Sequence, residues 1–65
     1  MMEYAVYNEN AMVNGVYDND MMDWFADREE AENAARELAN ESGTTAYISE
    51  VLDGDFGDRE EVEPE

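Results

Sequence analysis

The chain has 65 residues, of which nineteen are Asp or Glu and three are Arg, with no Lys, His or Cys, for a formal net charge of −16. A domain of this size buries only about 60% of its extended-chain surface, so most of the carboxylates must sit in water and project a field of several kT. The missing residue types exclude disulfides, thiol and imidazole chemistry, Cys or His zinc sites, Schiff bases and the phosphate-binding Lys of a P-loop.

High charge is also a mark of disorder, but a 43% hydrophobic content with Trp24, Phe25, Phe56 and four Tyr predicts a compact domain over residues 1–52. Glu3 to Tyr7 is a β-prone run, and Asn8 to Asn10 form a break before a second run from Ala11 to Tyr17, so these two are expected to pair as a hairpin. Asn14-Gly15 is a type I′ turn signal that either closes a second tight hairpin or marks a bulge. Met21 to Phe25 reads as a third strand or a short helical turn, with Trp24 and Phe25 expected in the core.

A helix is predicted over roughly residues 27–42. Asp27 is a good N-cap and Glu30, three residues on, completes a capping box. Ala31, Ala34, Ala35, Leu38 and Ala39 recur at the spacing of one buried stripe, and Gly43 is placed to end the helix in the left-handed conformation. On the outer face Glu32 and Arg36 are spaced to pair. Thr44 to Leu52 follows as a strand with Ala46, Ile48 and Leu52 on one face and Tyr47 and Val51 on the other. The fold class is then α+β, one amphipathic helix on a three- or four-stranded antiparallel sheet in β-β-α-β order. Residues 53–65, seven of them acidic, read as a flexible acidic tail, which would make 57–65 dispensable for folding.

No apolar run approaches about 18 residues and no basic segment precedes MMEYAVY, so neither a membrane span nor a signal peptide is expected. Carboxylate pairs occur throughout, which leaves no specific acid/base signal, and a raised carboxyl pKa needs a walled cleft; no enzyme activity and no cofactor are expected. Asp18-Asn19-Asp20 and Asp53-Gly54-Asp55 alternate oxygen ligands, but neither fits an EF-hand loop, and no metal site is assigned.

The constellation that points to function is acidic. Asp18, Asp20, Asp23, Asp27, Glu29, Glu30, Glu32, Glu37 and Glu41 lie along the helix and its approach, where residues three and four apart are neighbours. Such a row resembles the phosphate track of a duplex, about one charge per 1.7 Å of axis, and would suit a protein built to grip phosphates. The plain alternative is a solvated helix face, although such a face ordinarily mixes signs. Adaptation to high salt, which screens repulsion, is a second alternative, as is an accessory binding module with no inhibitory role.

In size, acid excess, lack of Cys and a β-rich frame around the acidic helix DREEAENAARELANES, the chain resembles the small DNA-mimic anti-CRISPR proteins of phages. This is a resemblance of character, with no shared motif to carry over. It implies a monomeric inhibitor in the host cytoplasm that occupies the nucleic-acid-binding surface of a CRISPR effector subunit or another basic DNA-binding protein, without binding nucleic acid or membrane itself.

Overall fold

The computed structural model describes residues Met1–Glu65. In chain order they form β1 (Met2–Tyr7), a 3₁₀ turn (Glu9–Ala11), β2 (Met12–Val13), β3 (Val16–Tyr17), a second 3₁₀ turn (Asn19–Met21), β4 (Asp23–Phe25), α1 (Arg28–Ser42), β5 (Ala46–Leu52) and β6 (Asp55–Val62). Strands β4, β1, β5 and β6 lie in that order in one antiparallel sheet, and β2 and β3 pair separately. The α+β class is as expected, with one more strand than the β-β-α-β order and a small hairpin besides.

The helix follows from its ends and its stripe. Asp27 Oδ1 accepts the Glu29 N–H at 3.0 Å, satisfying one of the donors that a helix start leaves free. That bond goes to the second helical residue rather than to Glu30, and none returns from the Glu30 side chain, so Asp27 acts as a simple N-cap and the expected capping box does not form. At the other end Gly43 sits at φ 71°, and its N–H donates to the Ala39 carbonyl at 2.8 Å, the left-handed cap that favours glycine. Ala31, Ala35 and Ala39 are fully buried against Val6, Ala46 and Ile48, flanked by Tyr4, Phe25, Leu38 and Val62. With only methyl groups on the stripe, the helix axis can approach the sheet closely.

Alternation along β1 sends Tyr4 and Val6 toward the helix and Ala5 and Tyr7 to the far face, where they pack with Ala11, Met22 and Val51. Strand β1 is therefore covered on both sides and takes an interior place, paired with β4 and β5. The expected hairpin between β1 and Ala11–Tyr17 does not form. Asn14 (φ 54°) and Gly15 (φ 81°) instead close β2 onto β3 with Val13 opposite Val16, the local I′ turn winning over the longer connection. That hairpin lies over the far face, where Tyr17 meets Tyr7 at 4.8 Å and Tyr47 at 6.5 Å between ring centroids. Beneath it the Tyr7 hydroxyl is hydrogen-bonded to Ser49 Oγ at 2.7 Å.

Trp24 does not lie under the alanine stripe. Phe25 pairs with Tyr4 and packs toward the helix, so its neighbour Trp24, opposite Ala5, turns to the far face and remains 38% exposed. Leu52, placed by alternation on the helix side, is also exposed.

The acidic segment expected as a tail is the fourth strand. Asp53 (φ 52°) and Gly54 (φ 87°) form a second two-residue turn, and β6 pairs with β5 from Leu52 opposite Asp55 to Ala46 opposite Val62. Between Ser49 and Val51 on β5 the register shifts, because Gly57 and Asp58 together oppose Glu50, a β-bulge. Val62 packs into the helix-side cluster. The Glu65 N–H even reaches Asn40 Oδ1 at 2.7 Å, so the compact unit extends well past residue 52. As the outer strand, β6 presents an unpaired edge, and Asp55, Asp58, Glu60 and Glu61 guard it against pairing with another chain.

Candidate functional site

All three guanidinium groups are engaged within the protein. Arg28 reaches Glu60 at 2.6 Å, Glu32 at 3.1 Å and Glu50 at 3.6 Å, with its charge 5.9 Å from the Tyr4 ring centroid. Its pKa is raised, chiefly by the charge of Glu60 and further by Glu32 and Glu50, against a smaller opposing effect of desolvation. Glu32 thus pairs one turn back, and Arg36, its expected partner, lies 4.0 Å from Glu65. Arg59 stacks on the far face, 4.5 Å from the Tyr47 ring centroid, and its pKa is raised first by the Tyr7 hydroxyl.

The carboxylates are left largely uncompensated. Glu32, Glu50, Glu60 and Glu65 meet these arginines and Asp53 meets the Met1 ammonium, leaving fourteen of the nineteen without a cation within 4.0 Å. None is buried.

The nine residues singled out from the sequence do not form one continuous row. At 100° per residue, Arg28, Glu32 and Arg36 occupy the helix flank that turns toward β6, as their ion pairs show. Glu30, Glu37 and Glu41 therefore run along the opposite flank, spaced by about 10 Å and about 6 Å at 1.5 Å of rise per residue. Glu29 stands in the first turn beside the capping Asp27. Asp18 caps the second 3₁₀ turn by accepting the Asp20 N–H at 2.9 Å, and Asp23 opens β4 opposite Val6. What emerges is an unpaired helix flank of Glu30, Glu37 and Glu41, a group at the helix start, and an exposed approach from Asp18, Asp20 and Asp23, with Glu32 withdrawn into the Arg28 cluster.

Sequence reasoning missed the acidic β6. Glu60 and Glu61 project to opposite sides, toward Arg28 and toward the tyrosine face opposite Tyr47, so the carboxylate surface wraps the sheet edge. Asp53-Gly54 was the available signal, since it closes a hairpin as Asn14-Gly15 does. The two alternating acidic triplets are built into the structure as a turn cap at Asp18 and a hairpin turn at Asp53-Gly54. No helix is long and apolar enough to cross a membrane.

No protein-family model matches the chain, and no curated protein or solved structure is significantly similar to it.

Arg28 ties the helix start to two strands that would otherwise repel it. Arg28→Met is expected to lower the melting temperature and to leave Glu32, Glu50 and Glu60 facing one another, with much of the loss recovered at about 1 M salt, where the Debye length is near 3 Å. Thermal unfolding at low and high salt checks this. A loss of equal size in both would assign Arg28 a packing role over Tyr4 instead.

Proposed function

We propose that this protein is a non-enzymatic acidic inhibitor that imitates the charge of a nucleic acid and occupies a basic nucleic-acid-binding surface, with a CRISPR effector complex as the favoured class of target. The observation that carries the reading is the fourteen uncompensated carboxylates, spread over the helix and its cap, the strands and the turns, while each guanidinium meets a carboxylate or a tyrosine ring of the protein itself. A surface of one sign on fixed elements offers a partner's Arg and Lys a preset pattern of charge. A tail would first have to be ordered, at about 1–2 kcal/mol per residue of backbone entropy. Like-charge repulsion within the protein is relieved when a cationic groove receives it, so binding should be fast and strongly salt-dependent.

The test is competition with DNA for a purified effector. Glu37→Lys with Glu41→Lys reverses two charges on the unpaired helix flank, and Asp55→Lys with Glu61→Lys reverses two on β6. None of these four carboxylates makes an ion pair. The helix pair is expected to weaken binding about tenfold or more relative to the β6 pair at equal net charge. Equal losses would reduce the attraction to a general field, and undiminished DNA binding by a saturated effector would sink the reading.

A further inference from the structure

The far face of the sheet carries an open groove. One hollow of about 330 Å³ lies among Glu3, Trp24, Val51, Asp53 and Phe56, and a second of about 250 Å³ adjoins it at Asn19 and Phe56 and is walled by Tyr7, Val16, Tyr17 and Met22. Trp24 and Phe56 start from the two outer strands of the sheet, yet their rings meet edge to face at 5.9 Å over the small side chain of Ala5 and over Val51. The indole is tethered, its Nε1–H donating to the Asn19 carbonyl at 3.4 Å. Both rings stay substantially open, at 38% and 44% exposed, and Val16 beside them at 69%. Exposed apolar surface with a polar rim marks interaction sites.

Charge selects the occupant. Asp53 already holds the Met1 ammonium at 2.8 Å, whereas Glu3 at the same hollow has no cation. An aromatic wall beside a free carboxylate, on a chain of net charge −16, repels anions and favours a cation that can also stack. A guanidinium is flat and weakly hydrated and lies on a ring face as an ammonium does not. We infer that the groove seats an arginine side chain of the basic partner over Trp24 and Phe56, its charge toward Glu3, with the arginine's apolar neighbour in the adjoining hollow between Val16 and Tyr17. The inference rests on the proposed function only in taking the partner to be a basic protein. It adds a stacked anchor on the face opposite the helix to an interaction otherwise made of charge alone.

Trp24 is the sole tryptophan, so its emission reports on the groove directly. The full chain is titrated with the blocked peptide Arg-Leu-Arg and with its Lys-Leu-Lys and citrulline-Leu-citrulline counterparts. The arginine peptide is expected to shift Trp24 emission saturably, the lysine peptide to bind more weakly and the citrulline peptide not to bind. Phe56→Leu should cost about two- to fivefold in affinity, the size of an exposed cation–π contact. Glu3→Gln should weaken binding more than Glu37→Gln, which removes the same charge from the helix. Trp24 emission that never responds to the arginine peptide, or equal losses in the two Gln variants, would overturn the inference. The two readings fail separately. An unresponsive Trp24 alongside helix-dependent competition with DNA removes the groove alone, while an arginine-responsive Trp24 without competition supports the groove and removes the mimic.

Discussion

Removing residues 57–65 is expected to abolish cooperative folding. Two effects oppose each other in that truncation. It deletes five carboxylates and one guanidinium, which eases repulsion, but exposed charges are screened and individual exposed pairs are worth roughly 0–1 kcal/mol. Against that, β5 loses its partner from Ala46 to Ser49, Val62 leaves the cluster that holds Ile48 and the alanine stripe, and Arg28 loses Glu60. Ile48 and Ala46, buried now, would be left at an open edge. A chain already near the lower size limit for a single core has no second source of stability to draw on. Near-UV circular dichroism and thermal unfolding decide the matter, and a sigmoidal melt in the truncated protein would show that β6 merely decorates a self-sufficient domain.

The next largest effect should come from the alanine stripe. Ala35→Leu adds bulk at a fully buried position between α1 and the sheet, where the helix has no room to rise without uncovering Val6 and Ile48. Overpacking of this kind costs about 1–3 kcal/mol, and in a domain of this length each kcal/mol moves the melting temperature by roughly 4–8 °C. Ala34→Leu, at a half-buried position on the flank, should be tolerated far better. A wild-type melting temperature for Ala35→Leu would mean that the helix sits loosely, and the close approach argued from the methyl-only stripe would be wrong.

The helix was legible because its determinants are local. A capping Asp27, a repeated apolar spacing and a terminal Gly43 all lie within its own segment, and the structure uses each. The faces of β5 were legible for the same reason, with Ala46 and Ile48 inward and Tyr47 and Val51 on the other side. Strand β1 was read as a strand but given the wrong neighbour, because which strands pair depends on contacts distant in sequence. Strand β6 was missed because its composition argues for solvent; only Phe56 and Val62 are apolar between Asp55 and Val62, and its pairing comes from the Asp53-Gly54 turn and from Ala46 to Leu52 across the ladder. In the candidate site, the acid excess and the helix residues were visible. The withdrawal of Glu32 was not, since it depends on Arg28 lying between the helix and two strands.

The bulge at Gly57-Asp58 lets one strand be read in two phases. Without it, a ladder running on from Val51 opposite Phe56 would set Arg59 against Ile48 and Glu61 against Ala46, driving a charge of each sign under the helix and carrying Val62 beyond the strand it covers. One extra residue shifts the phase back, so Phe56 and Arg59, three apart, share the tyrosine face while Glu60 and Val62 return to the helix side. The strand therefore tolerates a change of length at one place only. Loss of Gly57 would leave every later residue on its present side, whereas loss of a single residue between Arg59 and Val62 would exchange the two faces beyond the cut. In a segment this acidic, phase rather than hydrophobicity separates a folded edge from a solvated tail.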